Sequence, residues 1–285
     1  MEERKKNIGR IIINIFIFII IVLVSLFFFA KYIGTEGVIT REYKISSEFL
    51  PSNFSGIKIV HFSDVLYKGT NDLDRLDETI QKINILKPDI VVFTGGLSST
   101  KISKKVENKI IEILNKITYT LGMYAIKGDI DYNENYTNIM NSSGFKILDN
   151  QYDLIYNKEF EPILIAGVSS LLKNDVDFNK VFETLEEETP LYKILLIHEG
   201  DTIKNLNETD YKFNLILGGH SLNGSVIMPF YGPIFIPRGS KKYFSKNYVV
   251  NDTQVYISGG LGTDKYDLRL FNNPSFNLYR LKSLQ

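Results

Sequence analysis

The sequence predicts an α/β domain with parallel strands, carried behind one membrane-spanning helix. From residue 57 onward, short apolar strands alternate with amphipathic helices, and the strands close on Gly- or Asp-bearing turns. That alternation is how crossover-connected parallel strands read in a sequence. The helix rests on residues 11–30, a 20-residue apolar run interrupted only by Asn14 and Ser25. At ~1.5 Å per residue it reaches roughly 30 Å, the thickness of a bilayer core.

The apolar run lacks the polar face that a buried surface helix would need. It is too long for the apolar part of a signal peptide, and no Ala-x-Ala cleavage pattern follows it. It therefore reads as an uncleaved signal anchor in a single-pass protein of the cell membrane, with the bilayer as its partner. Arg4, Lys5, Lys6 and Arg10 precede it, whereas Lys31 stands alone after it. The positive-inside rule then puts residues 1–10 in the cytoplasm and the large domain outside it. Residues 31–56 read as a stalk and leading strand. Thr-Arg-Glu-Tyr-Lys-Ile-Ser at 40–46 alternates weakly, like an edge strand, and Pro51, Asn53 and Gly56 mark a turn into a domain at 57–285.

Within that domain, residues 57–62 form a strand that runs into Ser63-Asp64. Apolar positions 73, 76, 80, 83 and 86 make a helical stripe ended by Pro88. A strand at 89–93 ends on Thr94-Gly95-Gly96, a helix spans 103–117, and a strand at 123–126 ends on Lys127-Gly128-Asp129. A helix at 134–143 and strands at 145–148 and 163–167 follow. A charged helix at 177–187 then precedes strands 193–197 and 215–217, which deliver His198 and His220. Strands at 248–250, 254–258 and 276–281 complete the pattern.

Lys+Arg and Asp+Glu balance at 33 each, with a pI near 6.9, so no basic excess points to nucleic acid. The chain has no cysteine, which excludes disulfides and thiolate metal sites.

Five strand-end loops now line up: Ser63-Asp64-Val65-Leu66, Thr94-Gly95-Gly96, Gly128-Asp129-Ile130-Asp131, His198-Glu199 and Gly219-His220-Ser221-Leu222. With the surrounding segments LKPDIVVFTGGL, YAIKGDIDY and LILGGHSLNGSVIMPFYG, the chain resembles the calcineurin-like metallophosphoesterase superfamily. The likeness is greatest to its bacterial membrane-anchored branch. The resemblance implies a four-layer αββα sandwich of two mixed sheets and, in active members, two-metal hydrolysis of phosphate esters or anhydrides.

Residue by residue, the family pattern is half present. Asp64 matches the first loop, but Leu66 stands where a histidine ligand is expected. Gly96 replaces the aspartate that bridges the metals. Asp129 replaces an asparagine ligand, and Ile130 replaces the histidine that serves the leaving group. His198 is intact, and His220 is kept while Leu222 replaces its partner histidine. The first metal would retain only Asp64, too little to hold an ion. The second would retain Asp129, His198 and His220, a set compatible with one manganese, iron or zinc ion.

The resemblance thus implies a membrane-anchored domain that has lost hydrolysis, wholly or largely, and binds or scaffolds a protein or phosphorylated ligand. The rivals are a one-metal phosphodiesterase acting on phosphorylated lipid or cell-wall material, and a metal-free structural domain. In the metal-free case His198 and His220 are relics bonded to backbone. Among the remaining candidates, His61 reads as a satisfied core histidine and Asp64 as a turn-forming residue as readily as a ligand. Asp131 reads as a helix N-cap, and Arg269 as a surface ion pair or a phosphate contact.

Overall fold

The computed structural model describes residues 2–158, 161–173, 176–183 and 191–285. The chain begins with α1 (Glu2–Tyr32), whose Asn7–Tyr32 portion is long and apolar enough to cross a membrane and buries none of its most apolar stretch against the domain. The first half of the domain then runs β1 (Ile39–Ser47), β2 (Lys58–Phe62), α2 (Thr70–Leu86), β3 (Ile90–Phe93), α3 (Lys104–Leu114), β4 (Gly122–Ala125), α4 (Glu134–Ser142) and β5 (Lys146–Ile147). The second half runs β6 (Gln151–Ile155), β7 (Ile163–Gly167), α5 (Phe178–Phe182), β8 (Lys193–Leu196), α6 (Thr202–Leu206) and β9 (Leu215–Gly218). It closes with a short hairpin, β10 (Ile227–Met228) and β11 (Gly232–Pro233), and with β12 (Asn247–Val250), β13 (Thr253–Ile257) and β14 (Ser275–Ser283).

Two mixed six-stranded sheets result, ordered β1-β14-β2-β3-β4-β5 and β12-β13-β9-β8-β7-β6. Strand alternation sorts their side chains into layers. Val60, Phe62, Val91 and Phe93 pack outward among Leu76 and Ile80 of α2, Ile110 of α3 and Ile139 of α4. Ile59, Ile90 and Val92 point the other way and meet Ile194, Leu196, Leu215 and Leu217 of the second sheet. The far face of that sheet, with Leu195 and Ile216, is covered by Val181 of α5 and Ile203 and Leu206 of α6. This is the αββα sandwich, with each buried aliphatic side chain contributing about 1.5–3 kcal/mol.

Local chemistry explains the boundaries. Lys87 adopts the left-handed conformation (φ 51°) that ends α2 one residue before Pro88, which cannot extend a helix. Ser103 and Asn133 cap α3 and α4 by accepting the N–H of Val106 and Tyr136. Within the span read as stalk, β1 pairs in parallel with β14 from Ile39↔Ser275 to Ser47↔Ser283. Ile45, Leu50 and Phe54 are fully buried there. β6 was not foreseen, because Gln-Tyr-Asp-Leu-Ile is too polar and too short to stand out; it lies at a sheet edge, antiparallel to β7. The helix expected at 177–187 forms over Phe178–Phe182, and its positions 184–187 lie outside the described residues.

His61 is fully buried on β2, and its ring nitrogens meet Tyr279 Oη at 3.1 Å and Thr94 Oγ1 at 2.9 Å. It is the satisfied core histidine expected from its apolar neighbours. Burial lowers its pKa to about 3. The unfolded chain, with a histidine pKa near ~6.5, takes up a proton that the folded state refuses. Stability contributed by this group is therefore complete above pH ~6.5 and falls as pH drops towards 3, by at most about 1.4 kcal/mol per unit. Denaturant unfolding between pH 4 and 7 is expected to show that slope, and His61→Gln is expected to flatten it.

Candidate metal centre

Both sheets aim the carboxyl ends of their parallel strands at the same end of the sandwich, where α/β sheets place their sites. The loops after β2, β3 and β4 meet those after β8 and β9 around a cleft of about 160 Å³ lined by Asp64, Leu66, Asp129, Ile130, His198, His220 and Leu222, among others. Of the positions matched to the family pattern, all line this cleft except Gly96, which lies against Asp64.

At the centre, Asp129, His198 and His220 each offer one ligand atom, all within 4.8 Å of one another. His198 is 1% exposed, and its Nδ1 donates to Thr94 O at 2.6 Å. His220 Nε2 donates to Arg238 O at 2.9 Å. A carbonyl oxygen only accepts, so these two bonds fix each ring's tautomer. The opposite nitrogens, His198 Nε2 and His220 Nδ1, then face one another at 3.2 Å. Two neutral rings so held would oppose two lone pairs, which is tolerable only with a cation between them, a proton or a metal ion. Asp129 Oδ1, at 3.6 Å from His198 Nε2 and 3.9 Å from His220 Nδ1, supplies the balancing charge. Burial alone would lower the His198 pKa; the adjacent Asp129 carboxylate and the charges of Glu199 and Asp64 outweigh burial and raise it to about 10. Ring nitrogens oriented by backbone acceptors on their outer side are the usual preparation of histidine ligands.

Asp64 stands outside that trio. It is 2% exposed, and its Oδ2 accepts the hydroxyl of Ser63 and the backbone N–H of His220 at 2.9 Å. Its carboxylate thus joins the first loop to the fifth. At Gly96 a Cβ would lie 2.7 Å from Asp64 Oδ1, on a backbone at φ +82°, so this position suits glycine. Leu66 and Leu222 also keep left-handed backbones, at φ 49° and 51°. Such conformations are costly for leucine. The loops therefore retain shapes suited to ligand-bearing turns while presenting aliphatic side chains, and Ile130 adds a third. Among the described residues, the cleft offers one three-residue set that fits a divalent ion.

Two readings of single residues are corrected here. Asp131 is not a helix cap, a role taken by Asn133. It is 1% exposed and accepts N–H bonds from Gly96 (2.6 Å), Gly128 (2.8 Å) and Leu97 (2.9 Å), stitching the second loop to the third. Arg269 is not on the surface, and among the described residues it forms no ion pair. It is fully buried and donates to the carbonyls of Gly259, Gly260, Gly262 and Leu222. Three further supports escaped the sequence reading. Arg41 on β1 bonds Asn223 and Asn272. Glu199 accepts from Ser170 Oγ and from Leu171 N at 2.9 Å. Asp201 accepts from the backbone of Lys241, Lys242 and Tyr243, which fixes the segment carrying Arg238 O. Their partners lie far off in the sequence, so no local signal marks them.

The fold and the site define a metallophosphoesterase-type domain, and comparison with known proteins agrees. The family model for calcineurin-like phosphoesterases matches residues 57–224, and the chain belongs to that family. It is 32% identical over 259 residues to the uncharacterized metallophosphoesterase YkuE of Bacillus subtilis, covering 90% of this chain and 89% of that one. It is 26% identical over 255 residues to a transmembrane protein with metallophosphoesterase domain from Danio rerio, covering 85% of this chain and 56% of that protein's length. Among solved structures, TT1561 of Thermus thermophilus aligns with a TM-score of 0.44 and 14% identity, over 73% of this chain and 91% of that one.

Because Gly96 sits at positive φ against Asp64, Gly96→Ala is expected to destabilise the domain by about 1–3 kcal/mol. Chemical denaturation beside wild type measures it, and a loss below a few tenths would show the loops to be looser than described.

Proposed function

We propose that this chain is a membrane-anchored metallophosphoesterase-family protein that holds one divalent ion and has lost most or all hydrolysis, serving as a binding or scaffold domain. The observation that carries this reading is the pair of inward-facing imidazole nitrogens beside Asp129, set in a cleft that Leu66, Ile130 and Leu222 line with aliphatic side chains. Asp129, His198 and His220 would hold the ion, and a bound manganese, iron or zinc would supply Lewis-acid polarisation of a phosphoryl oxygen. What the chain omits is equally specific. Ile130 has no proton to give a leaving group, and Gly96 has no carboxylate with which to join a second ion to the first. Leu66 and Leu222 make apolar walls where phosphate would need donors.

A phosphodiesterase working with a single ion is the second reading, favoured by the intact trio and its open cleft. Its substrates would be phosphorylated lipid or cell-wall material. The basic residues before the apolar helix support an N-terminus in the cytoplasm and a domain outside it.

Metal analysis of the purified full chain in detergent tests both. About one equivalent of metal in wild type, lost in His220→Ala, is expected. Phosphodiester turnover is expected to be absent; turnover that vanishes with His220→Ala would move the reading to the phosphodiesterase. Absence of metal after incubation with manganese, iron and zinc would leave the two rings sharing a proton and retire both.

A further inference from the structure

Residues 225–237 read Ser-Val-Ile-Met-Pro-Phe-Tyr-Gly-Pro-Ile-Phe-Ile-Pro, thirteen positions without a charge. They fold as the β10–β11 hairpin, paired Ile227↔Pro233 and Met228↔Gly232. Pro229 leads the turn, Tyr231 N donates to Met228 O at 3.2 Å, and Phe230 takes a left-handed backbone (φ 64°). The result displays aromatic rings to solvent at the tip: Phe230 is 112% exposed and Tyr231 81%. Ile234 and Phe235 are exposed behind them. Contiguous apolar surface of this kind on a folded domain marks an interaction site.

Its place in the fold identifies the partner. The hairpin base is bonded to Leu270, through Leu270 N to Ser225 O and Ile227 N to Leu270 O, both at 3.0 Å. The preceding residue, Arg269, donates its N–H to Ala30 O at 2.9 Å, in the last turns of α1. The contact continues at Gly34, where a Cβ would lie 1.9 Å from Arg269 O, so only glycine permits that approach. Hairpin and membrane helix are therefore held by consecutive backbone residues, whose Cα atoms are ~3.8 Å apart. Tyr266 and Phe271, both exposed, flank that junction, and Tyr32 is exposed on α1 itself. Aromatic rings gathered where a helix leaves the bilayer are what an interfacial belt requires. Arg238, Lys241 and Lys242 follow the uncharged run and suit anionic headgroups.

We propose that the β10–β11 hairpin, with Tyr266 and Phe271, inserts into the interfacial layer of the same leaflet from which α1 emerges. It makes a second membrane contact. The cleft, which shares Phe235 and Pro237 with this segment, consequently opens at headgroup level. The contact depends on no metal and on no catalytic activity.

Because the chain lacks cysteine, single-cysteine probes report without interference. Phe230→Cys and Tyr231→Cys, each labelled with a polarity-sensitive fluorophore, are compared with Ile85→Cys. Ile85 is exposed at the end of α2 remote from the site loops. The full chain is reconstituted in phosphatidylcholine–phosphatidylglycerol vesicles. The hairpin probes are expected to emit to the blue of Ile85→Cys, to be quenched several-fold more by spin-labelled lipid, and to be sheltered from aqueous iodide. Iodide quenching equal to that at Ile85→Cys would overturn the proposal. So would shelter from iodide without lipid quenching, which would mean that protein, such as a second copy, covers the hairpin.

Discussion

The site depends on buried charges that hold backbone rather than ligand. Asp131 gathers three N–H groups from two loops, Arg269 gathers four carbonyls from the glycine-rich stretch and the fifth loop, and Asp64 ties the first loop to the fifth. Each such bond involves an ionised partner and is about twice as strong as a neutral one. Together they stabilise left-handed residues at Asp64, Leu66, His220 and Leu222 that would otherwise relax. The geometry of His198 and His220 is a consequence of this scaffold. Their outer nitrogens bond to carbonyls that the scaffold positions.

That division explains how aliphatic side chains sit at these loop positions without loss of the fold. Leu66 and Leu222 occupy positions whose backbone is fixed by groups other than their own side chains. Leu222 still offers its carbonyl to Arg269 and Asn272. Such a framework stabilises loop shape independently of any metal. The trio of Asp129, His198 and His220 keeps its mutual distances because its supports, Thr94 O and Arg238 O, are main-chain atoms insensitive to residue identity.

Strands and helices were legible wherever the apolar period was strong. The alternation of Ile59–Val60 and Val91–Val92 between two cores, and the stripe on α2, follow directly from side-chain period. The cleft positions were legible because chemistry-bearing residues fell at strand ends in a known order. What stayed hidden acts through the backbone. Nothing in the spelling of Gly-Asp-Ile-Asp says that the second aspartate binds three amides of two loops. The role of Arg269 is set by carbonyls of glycines, which leave no side-chain trace. β1 was legible as an edge strand, but its partner was not, since pairing across most of the chain has no local signal.

That pairing bears on how the domain assembles. β14 follows the other strands in the sequence yet sits between β1 and β2, so the first sheet stays open there until residues 275–283 arrive. Until then β1 and β2 both expose unpaired edges, the feature that invites association with other chains. Such distant closure also slows folding, because loop entropy is lost before the contacts form. Residues 39–62 are made long before the strand that joins them, so the sheet stays incomplete until residues 275–283 follow. Loss of β14 should therefore be felt as failed maturation of the whole sheet rather than as a local change.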